Sequence, residues 1–311
     1  MTRPSRWRRL APLGVLSAAL AACAVVRAAP VVAPTAWPPA PAVTVWPAAP
    51  ATPLPPSATP APPSPLPPTR TPELLASPTS APEITLLFTG DINPARCIYK
   101  VMQEAGDMAL PYRALAEVLQ SPDLTIGSLD AAISDYNPPS PCNEFHRNLL
   151  APAETAHGLS WAGFDVITTA TNHAKDCGLE RGCRFEALLE TRANLLAVGI
   201  QPTGTGRNLA EAVTPVILTV HGVRFAFLGF TAINGEVWAG PESPGAAPFL
   251  KDVYVEAVQR ARAQADVVIA LPQWGREFTG QLTWEQAQGA QALVDAGATL
   301  VIGNNPHHVQ G

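Results

Sequence analysis

Ile84-Thr85-Leu86-Leu87-Phe88-Thr89-Gly90-Asp91 is the stretch on which the fold turns. A short apolar run, too brief for a buried helix, stops at a glycine and presents a carboxylate. It reads as a buried strand with an acid at its carboxyl end. The pattern recurs downstream. Residues 124–129 end at Asp130, and 164–169 lead to Asn172-His173. Residues 267–271 lead to Gln273-Trp274-Gly275, and 298–302 lead to Gly303-Asn304-Asn305-Pro306-His307-His308. Helical patterns lie between, at 112–119, 152–162, 185–196, 253–265 and 284–296. Alternating strands and helices predict α/β layering, with ligand-type residues collected at the carboxyl ends of the strands.

One segment departs from the alternation. Residues 216–220, then His221-Gly222, then 223–230 read as a hairpin. Gly222 at the second turn position admits positive φ, and both strands are apolar enough to be buried on two faces. His221 is accordingly a turn residue rather than a ligand. A hairpin inside a βα alternation argues for two sheets packed face to face with helices outside, not one doubly wound sheet.

Composition sets the bounds. The chain has 311 residues, 47% hydrophobic and only 14% charged, which suits one well-buried α/β core. A net charge of -5 offers no basic field, so nucleic acid is excluded as a partner. More than half of the 35 prolines fall between Pro30 and Pro82, among Ala, Thr and Ser. Proline removes backbone donors and fixes φ. Residues 23–82 are therefore read as a disordered Pro-rich tether, reaching roughly 150 Å if it stays extended, and 83–311 as the folded domain.

The beginning of the chain has the form of an export signal. Arg3, Arg6, Arg8 and Arg9 precede an apolar run over 10–22, shorter than the ~20 residues of a permanent span. It closes on Leu20-Ala21-Ala22-Cys23, which is similar to a bacterial lipobox. Residues 1–22 then form a signal peptide, and Cys23 carries the lipid that holds the protein on the extracytoplasmic face of the cell membrane. More than one acyl chain anchors stably. An ordinary signal peptide that happens to contain a cysteine is the plainer alternative.

Four further cysteines remain: Cys97, Cys142, Cys177 and Cys183. Outside the cytosol an even number points to disulfides, with three possible connectivities. Cys177 and Cys183 are near neighbours flanked by Gly178 and Gly182, which favours a local bridge and leaves Cys97 with Cys142. A cysteine metal site is the alternative, but the spacings match no zinc pattern.

By chemistry alone, Asp91, Asp130, Asn172, His173 and His307 are the right types for a divalent cation with oxygen and imidazole donors. Each also has a plain reading, since an Asp after a strand is often a helix N-cap. Together with Gly90-Asp91-Ile92, the motifs Ala170-Thr171-Asn172-His173-Ala174-Lys175-Asp176-Cys177-Gly178 and Gly204-Thr205-Gly206-Arg207-Asn208-Leu209-Ala210-Glu211-Ala212 follow in order. Gln273-Trp274-Gly275-Arg276-Glu277-Phe278 and Gly303-Asn304-Asn305-Pro306-His307 complete the set. From about Ile84 onward the chain resembles the CapA family of capsule-synthesis proteins, associated with poly-gamma-glutamate.

The resemblance implies a calcineurin-like metallophosphoesterase fold, a two-sheet sandwich flanked by helices. It implies metal ligands at Asp91, Asp130, Asn172, Gln273, Asn305 and His307, with His173 as the catalytic general acid. Three positions depart from the family pattern. Asp130 stands where the family usually has Glu, while Gln273 and Asn305 stand where it has His. Neutral amide oxygens suit Mn²⁺, Mg²⁺ or Ca²⁺ better than Zn²⁺. The expectation is one tightly held ion, on Asp91, Asp130 and His307. The implied partners are membrane lipid, polymer-synthesis proteins and an anionic polymer. The implied activity is metal-dependent hydrolysis, with a non-catalytic polymer- or partner-binding role as the alternative. The family usually continues with further strands, so a C-terminally truncated domain is also expected.

Overall fold

The structure, a computed structural model, describes residues 83–143, 145–178 and 185–310. The chain divides into two units, Met1–Glu73 and Leu74–Gly311, and every described residue falls in the second. The expected signal peptide, Cys23, the Pro-rich tether and Cys183 lie outside the described residues. No described helix is long and apolar enough to cross a membrane.

The opening apolar run becomes β1 (Leu86–Ile92), which carries Asp91 next to its last residue. Next come α1 (Arg96–Ala105), α2 (Ala116–Gln120), β2 (Leu124–Leu129), and the short pair β3 (Ala132–Ile133) and β4 (Leu150–Ala151). Then follow α3 (Thr155–Trp161), β5 (Val166–Thr168), α4 (Glu186–Ala197) and β6 (Gln201–Thr203). Strands β1, β2, β5 and β6 form a parallel sheet in the order β1-β2-β5-β6.

The second half begins with β7 (Thr205–Gly206), α5 (Leu209–Ala212), β8 (Val216–Val220) and β9 (Val223–Thr231). It continues with β10 (Gly245–Ala246), α6 (Lys251–Arg262), β11 (Val267–Gln273), α7 (Trp284–Ala296) and β12 (Leu300–Val301). The second sheet runs β12-β11-β9-β8, with only the β8–β9 hairpin antiparallel. His221 and Gly222 take positive φ, 48° and 83°, as the tight turn demands.

The period-two alternation of the strands builds the layers. Phe225 and Phe227 of β9 and Ile269 and Leu271 of β11 pack against Leu124, Ile126 and Val166, which makes the space between the sheets apolar. Their neighbours Ala226, Leu228, Phe230, Val268 and Ala270 face the other way, onto Tyr254, Val258 and Leu293 of α6 and α7. The far face of the first sheet, through Leu129 and Ile167, meets Leu119, Leu159 and Leu195 from α2, α3 and α4. Two facing sheets with helices outside is the arrangement the hairpin argued for. Just past β6, Gly204 sits at φ +85°, and a Cβ there would lie 2.6 Å from Ala170 Cβ and 2.8 Å from Gly229 Cα of β9.

Three local expectations need correction. β8 is not buried on both faces: its residues alternate in exposure, because it is the outer strand of its sheet and no described strand pairs with its far edge. The single helix expected over 112–119 is instead a 3₁₀ turn, Leu110–Leu115, followed by α2. Pro111 fits the first turn of the 3₁₀ segment, and Leu115 at ψ 5° breaks the continuity into α2. Helix α1 was not foreseen. Its apolar residues do share one side of the helix, but it buries only Tyr99 and Met102, while Ile98 and Val101 stay exposed.

Candidate functional site

Two groups of side chains arrive at one place from the two sheets. Asp91 lies at the end of β1, Asp130 directly follows β2, and Asn172 and His173 lie in the turn after β5. Gln273 ends β11, and Asn305 and His307 follow β12. Asp91, Asp130, Asn172, His173 and His307 line a single cavity of about 750 Å³.

Gln273 is the fixed point of the floor. It is 1% exposed and every polar atom of its side chain is engaged. Its Oε1 accepts from the Asn172 backbone N–H at 2.8 Å and from Thr231 Oγ1 at 2.7 Å. A backbone N–H can only donate, so this fixes the amide's orientation. Nε2 then donates to Asn172 Oδ1 at 2.6 Å and to Asp130 Oδ1 at 3.2 Å. An expected metal ligand is thus turned donor-first toward two others. Asn305 is also displaced from the expected role: its Nδ2 donates to the Gly275 carbonyl at 3.1 Å, and its backbone N–H donates to Asp91 Oδ2 at 3.1 Å. Positive φ at Asn305 and His307, 92° and 53°, turns the chain so that this backbone donor and the following imidazole both reach Asp91.

The acids pair with imidazoles. His307 Nδ1 lies 3.3 Å from Asp91 Oδ2, and His173 Nε2 lies 3.9 Å from Asp130 Oδ2. Ser128 Oγ donates to Asp91 Oδ1 at 3.3 Å. Burial pushes the Asp91 carboxyl up, partly offset by His307 and the Asn305 N–H. Burial raises Asp130 to about 6, with His173 opposing the rise and the neighbouring Asp91 charge adding to it. Both carboxyls thus hold their protons more firmly than an exposed acid, chiefly because they are buried. Among the described residues, however, no three His, Cys, Asp or Glu side chains are drawn tightly enough together to enclose an ion. Asp91 and Asp130 are each turned to their own imidazole.

His173 has a partner that the sequence reading did not assign. Its Nδ1 is 2.6 Å from Asp176 Oδ2, so the Nδ1–H donates there and Nε2 faces the cavity. Burial works against its charge, but the Asp176 hydrogen bond and the Asp130 charge outweigh it, and its affinity for the proton is raised overall. The i,i+3 spacing of His173 and Asp176 was the available signal. His308, adjacent to His307, lines a different cavity beside Trp274 and Gln286. His221, in the hairpin turn, bonds Asp123 just before β2 at 3.1 Å.

The Gly204–Ala212 motif lies away from the cavity and braces the fold. Asn208 caps α5 through the Glu211 N–H, while Glu211 pairs with Arg192 and Arg207. Cys97 and Cys142 form a disulfide. Cys177 is disulfide-bonded as well; its expected partner, Cys183, lies outside the described residues.

Residues 85–311 match the model of the family described as bacterial capsule synthesis protein PGA_cap. The chain belongs to that family. Among PGA_cap relatives, the PGA biosynthesis protein CapA of Bacillus subtilis is 27% identical over 71% of this chain and 56% of its own length. The capsule biosynthesis protein CapA of Bacillus anthracis is 29% identical over 73% of this chain and 55% of its own. The chain thus spans little more than half the length of the relatives it matches. A hypothetical protein from Thermus thermophilus superposes with a TM-score of 0.41 at 16% identity, over 72% of this chain and 68% of that one, a likeness too loose to bear on chemistry.

Proposed function

We propose that this PGA_cap chain works in the synthesis of a capsule-type anionic polymer, held to the outer face of the membrane through lipid on Cys23, and that its cavity is a hydrolytic centre for one divalent cation. The biosynthetic role is supported by the names of the Bacillus relatives, which refer to PGA and capsule biosynthesis. One observation carries the mononuclear reading: the Gln273 amide is bonded donor-first to Asp130 and Asn172. That neutral donor takes up the carboxylate and amide oxygens a second cation would need.

By donor chemistry, though not by the spacing the described side chains adopt, the remaining groups suit one ion. Asp91, Asp130 and His307 would hold it, an oxygen-dominated set suited to Mn²⁺, Mg²⁺ or Ca²⁺ rather than Zn²⁺. When bound, a divalent cation supplies Lewis-acid polarisation of a substrate oxygen. His173 supplies the proton to the leaving group. Asp176 keeps its Nδ1 occupied and its Nε2 turned to the cavity, and its raised proton affinity keeps it charged closer to neutral pH.

A second reading is a non-catalytic member that binds polymer or an assembly partner in the same cavity. It is favoured by the two amides, Gln273 and Asn305, both committed to hydrogen bonds within the protein.

Metal content and phosphoesterase activity of the full chain, with Mn²⁺ or Mg²⁺, separate the readings when measured beside Asp91→Ala. One ion per chain and activity lost in the variant are expected. Two tightly held ions would rule out the mononuclear site, and no turnover with any metal would favour the binder. For the anchor, Cys23→Ala is expected to move the protein from the membrane to the soluble fraction; a variant that stays with the membrane sinks that part.

A further inference from the structure

One wall of the cavity is a stretch of chain, 141–149, whose described residues belong to no helix or strand. Ordering such a segment costs about 1–2 kcal/mol per residue in backbone entropy, and it is tied down from several directions. Cys142 is bonded to Cys97 in the first turn of α1. Ser140 Oγ donates to the Asn148 carbonyl, and the Gly178 N–H donates to Asn148 Oδ1 at 2.7 Å. The Leu149 N–H donates at 2.6 Å to Asp176 Oδ2, the same oxygen that holds His173. The wall and the imidazole are therefore set by one carboxylate.

What the stretch presents to the cavity is Phe145, His146 and Arg147. Phe145 is 82% exposed. Across the mouth, Phe278 is 71% exposed and tilts over His307 with ring centres 5.4 Å apart. Its backbone N–H is held by the Pro306 carbonyl at 2.8 Å. Two exposed phenyl rings on a tethered mouth are contact surface for something that enters. Arg147 makes no hydrogen bond or ion pair with any described residue. Its planar fork matches the paired oxygens of a carboxylate or phosphate.

We propose that Arg147 reads the substrate of this cavity: it takes an oxyanion, carboxylate or phosphate, on the chain being processed, while Phe145 and Phe278 flank that chain. The placement follows from position. Arg147 is exposed on the wall of the cavity whose floor carries Asp91 and Asp130, so an oxyanion held at the wall leaves another part of the same chain over the floor. The inference rests on the proposed function in taking the floor as the reacting centre and an anionic chain as the substrate; binding at Arg147 is measured without turnover.

Calorimetric titration of the full chain with two probes, a decaglutamate peptide and inorganic tripolyphosphate, tests this in wild type, Arg147→Ala, Arg147→Lys and Arg147→Glu. The probe that binds wild type names the oxyanion. Its affinity is expected to fall about tenfold or more in Arg147→Ala, the value of a charge-assisted hydrogen bond lost. It should fall further in Arg147→Glu and recover in part in Arg147→Lys. Arg147→Glu binding the probe as well as wild type overturns the proposal, and so does neither probe binding wild type. Titration of the same proteins with Mn²⁺ alone reports on the floor. Absent Mn²⁺ binding defeats the cation reading while leaving the Arg147 result readable.

Discussion

Gln273 shows how much one buried amide can decide. It joins the ends of both sheets through Asp130, Asn172 and Thr231, and it does so as a neutral group where an imidazole would have offered a lone pair. Gln273→Leu keeps the approximate volume but strands the Asn172 N–H, the Asn172 Oδ1 and one Asp130 oxygen, while the Thr231 hydroxyl keeps Ile233. A buried polar group left unpaired costs about 1–3 kcal/mol, so a loss of at least that size is expected in urea denaturation. An unchanged midpoint would mean that the network is not formed. The position was readable as a strand end in the sequence. Its hydrogen-bond polarity was not, because that depends on an Asn172 N–H 101 residues away. Asp176 is the converse case: the His-x-x-Asp spacing was visible, but its second duty, on Leu149, required the 141–149 stretch to be in place.

At the scale of elements, the hairpin makes a clean contrast. β9 is buried along most of its length while β8 alternates, although both are apolar in sequence. Phe227→Ala in β9 is expected to cost about 3–5 kcal/mol through the cavity it leaves. Ile217→Thr on the exposed side of β8, with Ile217 already 38% exposed, is expected to stay within about 0.5 kcal/mol. Equal losses would mean that β8 is covered. The Cys97–Cys142 disulfide, with its ends 45 residues apart in sequence, belongs to this scale as well. The chain-entropy relation gives roughly 4 kcal/mol for a loop of that length. Paired Cys97→Ser and Cys142→Ser substitutions should lower stability by up to that amount and loosen the wall that carries Arg147, measured by denaturation and by hydrogen exchange of 145–149.

For the whole molecule, acid stability reports on long-range braces. Arg224 holds the Asp266 carboxyl down at about 2, through its side-chain and backbone hydrogen bonds, and so ties β9 to the start of β11. A carboxyl lowered on folding stabilises above its ordinary value and loses that contribution as the pH falls through its folded one. Wild type is expected to keep a higher urea midpoint than Arg224→Ala at neutral pH, and the gap should close as the pH falls from about 4 toward 2. A gap that persists at pH 2 would mean that the brace acts through packing and not through charge.

The amino-acid sequence by itself determined the two-sheet, helix-flanked architecture and the positions at which polar residues emerge, because period-two and helical patterning, glycine stops and strand length are local properties. It also determined membership of the PGA_cap family, since motifs in a fixed order persist when identity falls to 27%. Only the tertiary structure decided which of those polar residues face one another, that Gln273 donates to Asp130, that Asp176 sets both an imidazole and a cavity wall, and that β8 lies at an edge. Each of these is a relation between groups far apart in the chain, fixed by where the sheets bring them, and no local pattern carries it.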